Sequence, residues 1–447
     1  MKRACLYVAY VFAFVLFAFL FWRNKIPWDP CAYMLTGKHL LGGYTYYEAL
    51  RAPVASLLYG VFGIYGFFIV SAALLACAVY VYSRKEGVRP LLLLTLLLPA
   101  LSWPYYVEGG SEILALAFLL IGAAYSERPW AGLVFSLVFL SRYIYAFFVP
   151  FFLPWRLYAK NPRLALAHLV GFLAPVLLWS AVQWAVYGHP FASYIDFAYV
   201  NAHSPGTAIK PPRFDQLLGA TLPTTVLALP GLDLWALLFA LVAIYTAVYP
   251  ATQWYRFYLP LLIPLSVAAA RWIKNERFAV VLALANVLLA FFVVYPTHSW
   301  DNAGIYTSMV RAMEGNCVYV SNVWVPLVCA GAYALPPSAV ESLQGGYFGA
   351  LERGYRAAVL LGVGHPPYME DVNAYREKGI PLEHHGRFFL AGNGCIPPEG
   401  VWDGPKDPWQ FYSGRFQEIM KRWLSSLQSE APNPFTALNR FARSSET

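Results

Sequence analysis

Long apolar runs alternate along the chain with short stretches that collect the charges, and this alternation predicts the elements. Nineteen uncharged residues, Ala4 to Trp22, follow Met1-Lys2-Arg3 with no small-residue cleavage site before Arg23, the pattern of a retained signal anchor. The uncharged run Ala52 to Ser83, at 32 residues, is too long for one crossing, so a surface helix is expected before Gly63 and a span after it. Pro90 to Val107 and Ile113 to Tyr125 follow as spans joined by a short turn, Glu108 to Glu112. Arg128 and the cluster Arg156, Lys160 and Arg163 then read as lying on one side, yet only about 25 residues part them where two full crossings take roughly 40. A pair of half-spans resolves this. Trp130 to Leu140 enters, Tyr143 to Leu153 leaves, and Ser141-Arg142 forms the apex.

Leu164 to Tyr187 crosses next, followed by a long aromatic and polar loop, 188–215, holding Tyr194, Asp196, His203, Lys210 and Arg213. Gln216 to Leu232, Leu234 to Pro250, Phe257 to Ala270 and Phe278 to Tyr295 complete about eleven membrane segments, the half-span pair counted as two. Past Pro296 the pattern changes. Cys317 to Asn322, Ala357 to Val363 and Gly386 to Leu390 read as short strands, Tyr368 to Lys378 as a polar helix and Trp409 to Leu427 as an amphipathic helix, with a loose end from Pro432. The expected architecture is an all-α polytopic membrane domain, residues 1–295 with outer loops 23–52 and 188–215. A small extracytoplasmic α/β domain, residues 296–447, follows it.

Composition agrees, with 59% hydrophobic, 17% aromatic and only 13% charged residues. Residues 1–295 carry 20 Lys and Arg against 10 Asp and Glu, whereas 296–447 carry 12 against 14. The cations of the first part lie in short loops between apolar runs, where they set topology, so nucleic acid is excluded as the reason for the basic balance. The same charges place the N-terminus in the cytoplasm, the tail outside, and the protein in the plasma membrane as a multi-pass chain. Six cysteines show no CxxC or Cys/His ligand spacing, so no metal site and no bound cofactor is expected. Cys5 and Cys77 fall in apolar runs. Cys31, Cys317, Cys329 and Cys395 lie on the outer side, where disulfides form, and Cys317 with Cys395 is the expected pair.

The candidate chemistry centres on Trp28 to Pro53, a polar, aromatic, glycine-rich loop between two apolar runs that holds Asp29, Tyr33, Tyr44 and Arg51. A carboxylate beside a bilayer, a buried arginine and aromatic loops suit transfer of a sugar from a lipid-phosphate carrier to an acceptor hydroxyl. Asp29 is the expected general base. No general acid is needed, because phosphate leaves as a stable anion. Arg142 is expected on that phosphate, since a guanidinium offers a bidentate, permanently charged fork. Burying it costs about 2.5–3.5 kcal/mol on insertion scales, which calls for a reason. Bland readings stand beside these: Asp29 as a helix N-cap, Arg142 paired with Glu112 or closing the half-span turn, Glu108 and Glu112 in a solvated turn or as helix caps, and Arg256 as an interfacial anchor in Trp254-Tyr255-Arg256-Phe257-Tyr258.

These stretches carry a resemblance. The D-x-x-x-Y of Asp29 and Tyr33 with GKHLLGGYTYYEALRAP resembles the first outer loop of GT-C-type polytopic glycosyltransferases, the protein O-mannosyltransferase and aminoarabinose-transferase group. GGSEILALAFLLIG is similar to that group's acidic residue opening the fourth span, FLSRYIYAFFVPFFL to its basic residue in the short fifth and sixth spans, and RFYLPLLIPLSVAAA to its RYLLP-like segment. VYVSNVWVPLVCAGAYAL is similar to the start of the extracytoplasmic domain in archaeal members. The resemblance implies a GT-C fold and an inverting, metal-independent transfer from polyprenyl (dolichyl) phosphate sugar to a glycan, lipid or protein acceptor, with membrane lipid as the surroundings. It also implies Asp29 as base, Glu112 as an accessory acid, and Arg142 and Arg256 as ligands of the lipid phosphate; Glu108, Tyr33, Tyr44 and Arg51 complete the expected substrate site. Two departures stand out: the family's second acidic residue is Pro30 here, and its Pro-Pro is Ala52-Pro53. The competing class is a polytopic transporter or lipid flippase, against which the lack of repeat symmetry counts.

Overall fold

A computed structural model of the chain describes residues 2–43, 48–203, 212–248, 255–298, 302–335, 346–362, 371–398 and 407–429. Helix dominates. The first helix, α1 (Lys2–Trp22), buries Tyr10, Phe14, Phe17 and Phe21 at helical spacing while Val8 and Phe12 stay exposed. Its buried stripe closes around Trp103, whose ring lies 5.7, 5.2 and 5.3 Å from those of Tyr10, Phe14 and Phe17. Apolar side chains facing outward along a helix need an apolar surrounding, and lipid supplies one.

Next come α2 (Trp28–Leu40) and α3 (Pro53–Glu86), the latter broken at Gly63, where φ is 66° and ψ −176°. That break falls where the length of the apolar run requires it. Then α4 (Pro90–Leu97) and the segment Ala100–Gly109, whose main part is α5 (Trp103–Gly109), meet at a 46° bend beside Pro99. After α6 (Glu112–Ala124) and α7 (Ala131–Ser141), the chain turns extended at Arg142 and continues as a 3₁₀ stretch, Tyr143–Phe152. Two short apolar elements meeting at Ser141-Arg142 are what the half-span reading expects. A single turn, α8 (Trp155–Tyr158), leads to α9 (Pro162–Tyr187) and α10 (Ala192–His203).

Four helical stretches among the described residues have the length and apolarity to cross a bilayer: Ala4–Trp22, Pro53–Glu86, Pro162–Tyr187 and one that begins at Glu276; the bent pair at Pro99 makes a fifth. Glu112–Ala124, Ala131–Ser141, Tyr143–Phe152 and Leu234–Ala247 are shorter apolar elements. The protein has the build of a membrane protein.

The tail forms a mixed five-stranded sheet, ordered β2-β1-β3-β5-β4 from β1 (Tyr319–Ser321), β2 (Ala334–Leu335), β3 (Arg356–Leu360), β4 (Leu382–His384) and β5 (Phe388–Ala391). β1 runs parallel to β2 and β3, and β5 antiparallel to β3 and β4. Val318, Tyr319, Val320, Ala357, Ala358, Val359, Phe389 and Leu390 fill its core, so the expected strands fall in place, and β2 and β4 are added to them. The expected polar helix is present as Val372–Glu377 and the amphipathic one as Pro408–Ser429.

α2 joins the two materials. On one side Cys31, Ala32 and Leu35 enter the core of the sheet domain, Trp28 meets Trp324 at 6.5 Å, and Cys31 forms a disulfide with Cys329. On the other side Gly37 crosses Gly60 of α3 so closely that a Cβ at Gly37 would sit 1.9 Å from the Ser56 carbonyl oxygen. The expected Cys317–Cys395 disulfide is formed as well.

Candidate active site

Residues 28–40, expected as loop, are helical, and this places Asp29 differently from the cap reading. The N-cap position is Pro27, with no side-chain cap bond, so Asp29 lies inside the first turn of α2. Its charge suits that position, where unpaired N–H groups favour an anion. Tyr33, one turn on, shares its face.

Two guanidiniums hold the Asp29 carboxylate. Arg51 Nη1 donates to Oδ1 at 3.0 Å, and Arg256 Nη1 donates to Oδ2. Burial pushes the Asp29 carboxyl up, but Arg256, Arg51 and, at longer range, Arg142 outweigh it and bring its pKa down to about 2. Arg51 is itself held by Glu48 at 2.5 Å and covers the Tyr33 ring at 5.1 Å. Despite burial, the neighbouring Glu48 and Asp29 carboxylates raise the pKa of Arg51.

A second group adjoins the first. Tyr33 Oη and Ser111 Oγ lie 2.9 Å apart, and Arg142 Nη1 donates to the same Ser111 Oγ at 3.1 Å. Arg142 Nη2 meets Glu112 Oε1 at 2.9 Å, and the backbone N–H of Ser111 donates to Glu112 Oε2 at 3.1 Å. Gly110, at φ 80°, makes the turn and accepts a hydrogen bond from Tyr59 Oη at 2.9 Å. Gly109 leaves space for the Glu112 carboxylate: a Cβ there would lie 2.3 Å from Oε2. Asp29, Tyr33, Ser111, Arg142 and Glu112 therefore belong to one connected network, built from α2, the 109–112 turn and the break after α7.

Of the expected site residues, Asp29, Arg51 and Arg256 are in direct contact, and Tyr33 links them to Arg142 and Glu112. Arg142 pairs with Glu112, the arrangement first offered as a bland alternative. Glu108 is half-buried within electrostatic reach of Lys25, Arg256 and Asp29. Tyr44 lies outside the described residues. In the expected 188–215 loop, 192–203 is instead the helix α10. Its Asp196 is engaged by Arg415 of the C-terminal helix, while Lys210 falls outside the described residues.

Three participants escaped the sequence reading. Ser111 sits between Gly110 and Glu112, where only its bonds to Tyr33 and Arg142 reveal it. Glu48 lies three residues before Arg51, a spacing that could have suggested the pair. Lys25 donates to the His298 carbonyl at 2.5 Å, and burial lowers its pKa to about 8 against the opposing pull of Glu108.

Counted together, Arg51, Arg142 and Arg256 face Asp29, Glu48 and Glu112, so charges in the network balance. A new anion binding within this network competes with a carboxylate for a guanidinium. Arg256 is the most accessible of the three, its side chain 20% exposed against 13% for Arg142 and 10% for Arg51. Among the described residues, the one close grouping of metal-type donors is Glu314 with Cys317 and Cys395, whose thiols are spent on the disulfide. No family model, curated protein or solved structure matches the chain.

Proposed function

We propose that the chain is a glycosyltransferase of the GT-C type that moves a sugar from a polyprenyl phosphate carrier to an acceptor hydroxyl at the outer face of the plasma membrane. The observation that carries this reading is the gathering of Asp29, Arg51, Arg142 and Arg256 from three distant stretches of chain into one buried network among apolar helices. Burying three guanidiniums and a carboxylate in such surroundings is costly, and an anionic lipid substrate gives it a purpose. The proposed topology has about eleven membrane segments, the N-terminus in the cytoplasm and the sheet domain outside.

The chemistry is a single displacement. The acceptor oxygen attacks the anomeric carbon, its proton passes to Asp29, the bond from that carbon to the phosphate oxygen breaks, and the electron pair leaves with the carrier phosphate. The configuration at carbon inverts. A carboxylate with a pKa of about 2 is a poor base, because proton transfer works best when the base titrates near the working pH. The donor phosphate corrects this as it binds: by drawing Arg256 onto itself it takes away the closest partner of Asp29, and the carboxylate becomes more basic when acceptor and donor are both present. Arg142 faces the same phosphate as charge builds on the leaving oxygen. In this reading Glu108 orients the acceptor hydroxyl, supported by its nearness to Asp29 and Arg256.

The test uses purified full-length protein in liposomes with a radiolabelled polyprenyl phosphate sugar and a panel of peptide, lipid and glycan acceptors. Transfer by wild type and its loss in Asp29→Asn is the expected result. Undiminished transfer by that variant ends the catalytic assignment, and movement of the labelled lipid between leaflets without transfer favours the transporter reading.

A further inference from the structure

The C-terminal helix, Pro408–Ser429, presents three different faces. At ~100° per residue, Phe411, Tyr412, Arg415 and Ile419 fall on one side. That side is docked: Tyr412 is buried, Phe411 and Ile419 pack with it against α10 and its surroundings, and Arg415 pairs with Asp196 and lies 4.5 Å over the Tyr199 ring. Gln410, Gly414, Gln417 and Lys421 fall on another side, and all four are exposed. Between these sectors Trp409, Phe416 and Met420 fall within ~40° of one another. They are 57%, 51% and 37% exposed, although all three are large and apolar.

An amphipathic helix docked on a protein needs only one apolar face. The second requires an occupant, and its place in the fold identifies which. The helix begins against the end of α9, one of the stretches able to cross a bilayer: a Cβ at Gly188 would lie 2.8 Å from Pro408, and the His189 ring is 4.7 Å from that of Trp409. Trp184 near the end of α9 and Phe191 just beyond it are exposed too, and the His189 ring lies 6.2 Å from that of Phe191, so exposed aromatic side chains at the end of the span and at the start of this helix gather around His189. A tryptophan at the end of a span, with a polar side available to water, is characteristic of the boundary between headgroups and acyl chains.

We infer that the C-terminal helix lies in the bilayer interface, with Trp409, Phe416 and Met420 in the lipid and the Lys421 side in water. The occupant of the second face is lipid, not a second protein chain. The helix is also coupled to the site, because α10, which it grips through Asp196, donates from Ser193 Oγ to the Arg51 carbonyl at 3.5 Å. The inference does not depend on the proposed reaction.

Nitroxide accessibility in phosphatidylcholine nanodiscs tests it. Full-length protein carrying Cys5→Ser and Cys77→Ser keeps both disulfides and receives one label, at Phe416→Cys or at Lys421→Cys. The label at 416 should collide severalfold more with oxygen than with a water-soluble nickel chelate, at a depth of ~5–10 Å, while the label at 421 favours the chelate. Equal chelate access at both positions would place the face in water and overturn the inference. Exclusion of both reagents at 416 overturns it as well, because it puts protein on that face.

Discussion

Arg256 and Asp29, 227 positions apart in the chain, form an ion pair that joins the 3₁₀ stretch Tyr255–Leu261 to the first turn of α2. This pair keeps Asp29 charged and at the same time occupies it. Replacing Arg256 by Lys keeps the charge but removes the planar fork. The apparent KM for the lipid donor should rise by about tenfold or more with a smaller change in kcat, since a loss of ~1.4 kcal/mol in a charge-assisted contact corresponds to a factor of ten. Initial rates against donor concentration supply the check.

Asp29 also sets an acid limit on stability. Its folded-state pKa of about 2 lies below the ordinary 3.8, so the stabilisation from its ion pairs is fully present above the ordinary value and is lost as pH falls through the lower one. A shift of that size corresponds to about 2–3 kcal/mol. Asp29→Asn should therefore lower the Tm of the detergent-solubilised protein at pH 6, with the gap to wild type closing between pH ~4 and ~2. A constant gap across that interval would contradict the assignment.

Glu112 and Arg142 should behave as a unit. Removing one member leaves a buried charge alone and costs about 3–5 kcal/mol, whereas removing both leaves none. In a double-mutant cycle of Glu112→Gln and Arg142→Gln, read by thermal unfolding, the double variant should lose much less than the sum of the single losses. Strict additivity would show that the 2.9 Å contact carries no coupling.

The crossing of α2 and α3 allows no added atom at Gly37. Gly37→Ala places a Cβ 1.9 Å from a backbone oxygen, which no side-chain rotation relieves, so the helices must part. A destabilisation of about 1–3 kcal/mol is expected, together with loss of transfer as Asp29 moves from Arg51. Gly43→Ala, where the nearest atom to a new Cβ is 3.6 Å away, is the matched control and should keep both.

Much of this arrangement is legible in the chain because charge spacing and span length are local properties. The break at Arg142 follows from too few residues between two basic clusters, and the break at Gly63 from an apolar run too long for one crossing. Strands in the tail show themselves by short runs of Val, Tyr and Phe. Pairing is another matter. Arg256 has no sequence neighbour that points to Asp29, and the choice of Arg142 between a phosphate and Glu112 depends on how the 109–112 turn packs. The cap reading of Asp29 is two positions late, because Asp-Pro resembles a cap followed by the first helical residue, while the helix starts at Trp28 with Pro27 as its cap. The polar and aromatic residues of α10 lack an apolar stripe of their own and so resemble loop; Arg415, more than two hundred residues later, pairs with the buried Asp196.

The Cys31–Cys329 disulfide spans 298 positions and so closes a ring that contains the long apolar helices that follow Cys31, Ala4–Trp22 alone of those named above lying before it. Cys329 is synthesised after all of them. Until it emerges and meets an oxidising compartment, the helix bearing Asp29 has no covalent tie to the sheet domain. A chain cut short before Cys329 lacks the thiol that fastens this helix. Fixing of the Asp29 helix therefore waits until the chain has been made through Cys329.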